Sequence, residues 1–388
     1  MYTENMLTIE EKNLLKIQAL GFFSGSLAGI FTQFYVFKFL DFKGLALYNF
    51  VQLIALVILY IVSGYLLKKY STKDLIKSSL LLTTVSYLIL LLFKEHALDY
   101  IVLLGIISGS AAGLYWSGYN LSQYILTHAH SRDHFFGRFM SVLNFASGIA
   151  PLLGGLIVSY LGYPALFAIV AALNLALSFV ANRLPQHKGV EFSMRHFLTH
   201  NRSKRWIESL KQNLILGLYD SGQGLFTGIL LFLILLDPTT VGFARTMFFL
   251  VSALTGMFAG KIIASHRHSM IYAGIMAMLG FIALGASQSV LGVVLFGLLT
   301  GISLPIIYVR YSSEILNAMD ENESSWHHKY EMFIERDTVL GVGRIASMFM
   351  LLVLFSHFDR EVIAQWWMIS FSVFPLILGI MVTKNTTH

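Results

Sequence analysis

The chain has 388 residues, 56% of them hydrophobic and only 12% charged, with a mean hydropathy of +0.69. A soluble domain carries roughly 25% charged residues, so this balance excludes a soluble globular protein and points to an all-α integral membrane protein. With no cysteine, disulfides and thiolate metal sites are excluded, and the net charge of +6 fits basic loops on the cytoplasmic side rather than a nucleic-acid partner.

Met1 to Lys12 is polar and acidic, and lacks the basic-then-apolar order of a cleavable signal peptide. Beyond it, apolar stretches of spanning length predict about twelve segments. The first six run near 14–38, 44–67, 75–93, 99–126, 138–160 and 163–183. The last six run near 214–236, 240–263, 270–287, 290–314, 334–356 and 362–383. Residues 1–184 and 214–388 thus read as two six-helix bundles joined by a basic connection over 185–213. Lys68 to Lys73, His128 to Arg138, 185–211, Ser265 to His268 and Asp320 to Arg336 hold most of the loop Lys and Arg. Lys94 to Asp99 and Asp237 to Thr240 are short and basic-poor. The positive-inside rule assigns the first set, and both termini, to the cytoplasm. In the long connection, Phe197, Leu198, Trp206, Ile207 and Leu210 among basic residues suggest a helix lying at the headgroups.

The two halves echo each other. Gly21-Phe-Phe-Ser24-Gly25 aligns with Gly217-Leu-Tyr-Asp220-Ser221, 196 positions on, and the same offset carries Gly64 onto Gly260 and Gly105 onto Gly301. Arg132-Asp133-His-Phe-Phe-Gly137 recurs as Arg336-Asp337-Thr-Val-Leu-Gly341 at an offset of 204. Duplicated six-helix halves are a transporter architecture with the site at their interface near the midplane. Gly21, Gly25 and Gly29, then Gly105, Gly109 and Gly113, then Gly297 and Gly301 recur every fourth residue, a spacing that lets helices approach closely. Pro305 removes one backbone hydrogen bond from segment ten.

One carboxylate, Asp220, falls inside the apolar run from Leu214 to Leu236, roughly 10 Å beyond Asn213 at the helical rise. An acid there is costly and marks a substrate or ion pathway. It takes up a proton or pairs with a cationic solute, unless it only bonds a neighbouring helix. Its first-half counterpart is Ser24, so one half alone carries the acid. Arg344, inside segment eleven, needs a partner or water and reads as an anchor for a substrate anion or a carboxylate. Arg310 with Glu314 one turn on reads as a local pair near the inner end, and Arg245 as a side chain that snorkels outward.

Segment four offers the richest polar wall. Trp116, Asn120 and Gln123 share a stripe with Gly109 and Gly113, flanked by Tyr115 and Tyr119. These amides and rings either line a substrate cavity or pack between helices. Gln33, Tyr219, Gln223 and Tyr308 are candidates for the same cavity, with Asn49, Gln52 and Asn144 beside them. Arg132, Asp133 and Arg138, and again Arg336 and Asp337, sit where segments five and eleven leave the cytoplasm. They read as inner-gate salt bridges or as helix-end charge placement. His128, His130, His134, His266, His268, His327 and His328 lie in the same loops without acid or thiol companions, so they read as solvated rather than as a metal site. No cofactor is expected. The sequence has no phosphate-binding Gly-Lys-Ser/Thr loop, His-Glu-x-x-His helix or Gly-x-Ser-x-Gly elbow, so neither ATP-driven pumping nor enzyme activity has support.

Segment five reads Gly137-Arg-Phe-Met-Ser-Val-Leu-Asn-Phe-Ala146-Ser-Gly-Ile-Ala150-Pro151-Leu-Leu-Gly154-Gly155. It resembles the fifth-helix signature common in antiporters of the major facilitator superfamily. That signature is a Gly, eight residues, Gly, three residues, Gly-Pro, two residues and Gly-Gly. Here Ala146 and Ala150 stand for the two middle glycines. The loop from Gly64 to Lys73 is similar to the family's cytoplasmic loop signature, with Lys68 where the family has Asp and Ser71 where it has Gly. The resemblance implies twelve transmembrane helices in two pseudo-symmetric six-helix bundles, segments one, four, seven and ten lining the cavity, and rocking between inward and outward states. The expectation is a proton-coupled antiporter that exports a small organic solute across a bacterial inner membrane, working as a monomer in the bilayer. Two alternatives stand beside it: an uptake permease for a polar or sugar-like metabolite, and a lipid-moving or receptor-type protein on the same bundle.

Overall fold

The computed structural model describes residues 8–126, 132–195, 202–266, 268–322 and 326–385, with the backbone alone for 132–141, 326–328, 384 and 385. The helices are α1 (Ile9–Leu66), α2 (Thr72–Phe93), α3 (Ile101–Leu126), α4 (Arg132–Val180), α5 (Lys204–Leu235), α6 (Pro238–Ser265), α7 (Ser269–Ser287), α8 (Val290–Asn322), α9 (Trp326–Leu354), α10 (Arg360–Phe371) and α11 (Val373–Asn385). Among the described residues, nine helical stretches are long and apolar enough to cross a membrane.

Three loops expected at the basic-poor end are nearly absent. α1 passes the expected break with only Asp41 outside helical geometry (φ 64°, ψ −173°). α4 does the same at Gly162 (φ 80°, ψ 173°), and α2 and α3 are joined by a 3-10 turn over Lys94–Tyr100. A positive φ is uncommon for a residue with a Cβ. Asp41 offsets it locally, because its carboxylate accepts the Phe42 N–H at 2.7 Å and pairs with Arg360.

Some helix starts are capped by side chains that the sequence places there. Ser71 and Asp74 form a capping box at α2: the Asp74 N–H donates to Ser71 Oγ at 3.3 Å and the Ser71 N–H donates to Asp74 Oδ2 at 2.9 Å. Asp237 accepts the Thr240 N–H at 2.7 Å at the head of α6, with Pro238 as its first residue. The Thr240 backbone and hydroxyl hold the Asp237 carboxyl below its ordinary range.

Glycines set which helices touch. A Cβ on Gly155 would lie 3.1 Å from Thr239 Cα, against the Pro238 backbone, and one on Gly242 would lie 3.1 Å from Leu152 Cα. The segment-five motif therefore builds a close crossing of α4 and α6. Gly105, Gly109 and Gly113 of α3 likewise press on Tyr48, Gln52 and Leu56 in the second part of α1. The second part of α1 also lies along α9.

The described parts of the basic connection pack against the protein rather than standing as an isolated amphipathic helix. The Thr72 N–H donates to the His187 carbonyl at 2.9 Å, and the Gly189 N–H to Leu67 at 3.0 Å. Phe192 is buried against Gly64. α5 begins at Lys204, well before Leu214, and Trp206 is fully buried with its indole N–H donating to Glu335 at 2.5 Å. An indole gains most where its ring is buried and its N–H has an acceptor, and α9 supplies that acceptor. Phe197 and Leu198 lie outside the described residues.

Candidate substrate cavity

A cavity of about 420 Å³ lies between helices of the first and second halves of the chain, towards the basic-loop end. Its first-half wall is uncharged: Gln18, Phe22, Tyr60, Trp116, Tyr119, Asn120 and Gln123. Its second-half wall carries Asn213, Tyr311, Arg336, Asp337 and Arg344. The opposite end is closed by aromatic rings. Phe31, Phe34 and Phe42 of α1 interleave with Phe226 and Phe232 of α5 and with Phe355, and Phe34 stacks on Phe232 at 3.9 Å. Rings packed this way exclude water, and the Asp41–Arg360 pair adds a charged contact between the halves at the same end.

The charges of the cavity are paired. Arg344 Nε donates to Asp220 Oδ2 at 3.1 Å, and its Nη2 donates to the same oxygen. Both side chains stay 26% exposed, so the pair is reachable from the cavity that Arg344 lines. Arg336 grips the neighbouring Asp337 with bonds of 2.9–3.1 Å and lies over the Phe333 ring. Asn120 joins the two walls, its amide donating to the Tyr60 hydroxyl at 3.1 Å and to Asp337 at 3.3 Å. Nearer the basic loops, the Tyr124 hydroxyl donates to Asp320 at 2.7 Å and Lys329 reaches both.

Trp116, Tyr119, Asn120 and Gln123 therefore line the cavity, while Tyr115 donates to Gln18 and lines a separate space behind them. Tyr219 turns away and meets Phe281 edge-on at 5.4 Å. Gln223 donates to the Met368 carbonyl at 3.4 Å. The reason is angular: Tyr219 sits one residue before Asp220, about 100° round the helix. Gln33 lies beside Gly228, and Tyr311 rather than Tyr308 borders the cavity, donating to Asn213 at 2.5 Å. Glu314 pairs with Arg310 at 2.7 Å and accepts from Arg205 at 2.8 Å, so this pair belongs to a network with the start of α5. Arg245 lies 5.9 Å over the Phe249 ring. The side chains of Arg132, Asp133 and Arg138 lie outside the described residues. Among the described residues there is no cluster of His, Asp and Glu that could hold a metal ion.

Gln18, Tyr60, Asn213 and Tyr311 are among the polar lining residues that sequence reading passes over. Gln18 falls near the start of the first expected segment, whereas Asn213 sits just before its apolar run and only the extension of α5 to Lys204 brings it inside. The signal available was helical periodicity, since Trp206, Ser209, Asn213, Leu216 and Asp220 continue one face across the expected boundary.

The sequence profile of the Major Facilitator Superfamily matches residues 17–309. The chain belongs to that superfamily, and its fold and family are those of multi-pass membrane transporters. It is 25% identical over 370 residues to YqgE, an uncharacterized protein of Bacillus subtilis (strain 168), across 90% of this chain and 83% of that one. Among solved structures, the human organic anion transporter MFSD10 superposes with a TM-score of 0.69 at 13% identity, covering 97% of this chain and 100% of that one. The POT family transporter PepTSo superposes with a TM-score of 0.73 at 10% identity, covering 97% of each. At these identities the superpositions speak for the fold alone.

Proposed function

We propose that the chain is a proton-linked secondary transporter that carries a small organic solute by alternating access, with Asp220 as the coupling residue. The observation that carries this reading is the Asp220–Arg344 pair, whose arginine lines the central cavity. Taking Asp41, Gly162 and Lys94–Tyr100 as turns divides nine spans into twelve crossings, in bundles over 1–184 and 214–388 joined by 185–213. The pairing of α4 with α6 and of the second part of α1 with α9 suits two bundles related by a two-fold axis. Basic loops at the cavity end favour a cytoplasmic location for that end and for both termini, in a bacterial inner membrane. Asn120, Asp337 and Arg336 are the proposed inner gate, and a monomer suffices for the cavity.

The pair also bears on direction. With Asp220 ionised the two charges cancel. A proton on Asp220 leaves Arg344 as an anion site in a cavity whose other charges are compensated. An anionic group on Arg344 in turn favours the proton on Asp220, because the two bindings are linked and linkage is reciprocal. Proton and organic anion then travel together. A cationic solute would instead compete with the proton for Asp220, which is the exchange expected of an exporter, but it must also displace a guanidinium already in place. The geometry thus favours co-transport over exchange.

The test is proton movement in proteoliposomes that enclose a pH dye, challenged with small organic acids and amines. Co-transport acidifies the lumen when an acid enters, and exchange alkalinises it when an amine enters. Asp220→Asn should reduce pH-driven accumulation at least tenfold while leaving the protein folded. Undiminished pH-driven flux in that variant would eliminate the coupling role.

A further inference from the structure

We propose that the first half of the chain holds a second binding chamber, for an uncharged polyhydroxylated solute of the monosaccharide or nucleoside kind. The chamber measures about 460 Å³ and lies among α1, α2, α3 and the last part of α4, within the size range of small-molecule sites. Its wall includes Ser24, Tyr48, Ser79, Ser86, Ser108 and Asn174, and holds no Asp, Glu, Lys, Arg or His.

Ser24, Ser79, Ser86 and Asn174 are each at most 6% exposed. Buried hydroxyls and amides cost free energy unless bonded, and although such residues also join membrane helices, here they gather around one open volume. Those present are arranged in short chains. Asn174 donates to Ser24 Oγ at 2.9 Å, the Tyr48 hydroxyl donates to Ser108 Oγ at 3.1 Å, and the Ser108 and Ser86 hydroxyls lie 3.0 Å apart. Each hydroxyl both donates and accepts and can turn to suit its neighbour. Such a wall matches a ligand whose own hydroxyls donate and accept in turn. A charged ligand would find no counter-charge here and would lose its hydration without return. Charged groups are served instead by Arg344 in the central cavity.

Two further features mark the chamber as a site. Phe22 and Trp116, edge to face at 6.0 Å, line both spaces and form the partition between them, and they offer apolar ring surface to the C–H faces of a sugar. Gly25 opens onto the chamber, and a Cβ built there meets nothing within 4 Å. The absence of a side chain at that position keeps the space free rather than letting a neighbouring helix in. The proposal stands on this lining and not on the coupling assigned to Asp220.

The experiment is thermal unfolding of the full chain in a sugar-free detergent, since maltoside or glucoside headgroups would compete. The probes are glucose, inositol and uridine, with gluconate as the charged counterpart of glucose. At least one uncharged probe should raise the midpoint by about 3 °C or more at saturation. Glucose against uridine separates a sugar from a nucleoside. Gly25→Leu, whose side chain grows into the empty space, should abolish the shift while keeping the ligand-free midpoint. Ser108→Ala, which removes the shared hydroxyl, should weaken binding at least tenfold. The proposal is overturned if no uncharged probe shifts the midpoint, if the shift survives both substitutions, or if it tracks gluconate as well as glucose. Binding is read on the unaltered chain without a pH gradient, so this result and the proton-coupling result can fail separately.

Discussion

At the scale of single residues, the central finding is that Arg344 is the partner of Asp220. Removing one member of a buried pair leaves the other uncompensated, which costs about 3–5 kcal/mol when burial is complete. Both side chains here keep some exposure, so the expected loss for Asp220→Asn or Arg344→Gln alone is about 1–3 kcal/mol. The double variant should recover at least half of that loss, because neither charge is then stranded. Thermal unfolding of the four proteins measures it, and strictly additive losses would show that the pair is not coupled. Proton-linked flux should stay lost in the double variant, which separates the structural role of the pair from its transport role. Asp237 offers a pH-dependent counterpart outside the membrane. Its folded-state pKa lies below its unfolded value of 3.8, so its contribution is present above about pH 4 and is lost as pH falls through the folded value. Asp237→Ala should therefore cost about 0.5–1 kcal/mol at pH 7, the lower part of the capping range for so exposed a group, and progressively less as pH falls through the folded value.

At the scale of helices, glycine marks two different situations that look alike in sequence. Gly155 and Gly242 lie where α4 and α6 cross, and a side chain on either meets backbone. Backbone cannot step aside as a flexible side chain can. Gly155→Val should therefore overpack the crossing and cost about 1–3 kcal/mol, with reduced yield of folded protein. Gly29 belongs to the every-fourth-residue series with Gly21 and Gly25, yet a Cβ there meets nothing within 4 Å. Gly29→Ala should be neutral or stabilising by up to about 1 kcal/mol, from helix propensity alone. Equal destabilisation of the two variants would contradict this division.

At the scale of the whole molecule, the cavity is closed at one end by aromatic packing together with the Asp41–Arg360 pair, and bordered by polar contacts at the other. Alternating access requires the closed end to part. The Ser159 and Thr239 hydroxyls, 2.9 Å apart beside the α4–α6 crossing, offer a direct test. The native chain has no cysteine, so a pair introduced by Ser159→Cys and Thr239→Cys reports without background. Oxidation should link the two in the state described above and stop transport, and reduction should restore it. Full transport by the cross-linked protein would refute an opening at that end.

Much of this protein was legible in the sequence because the governing signals are local. Hydropathy over some twenty residues defines a span, Lys and Arg define the basic-loop end, and the 3.6-residue period places Trp116, Asn120 and Gln123 on one stripe. A lone acid in an apolar run singled out Asp220 for the same reason. What sequence alone leaves undecided depends on neighbours distant along the chain. Arg344 meets Asp220 across 124 positions. Tyr219 faces Phe281 because it sits about 100° round α5 from Asp220, and Gln223 is taken up by the Met368 carbonyl of a helix far along the chain. Trp206 is buried because Glu335 waits for its N–H, and the hydroxyls of the first-half chamber become a site only when α1 to α4 gather round them. Local physics determined where the apolar stretches lie and which residues are costly inside them. Packing between helices decided which faces meet, and with them the pairs and cavities on which function rests.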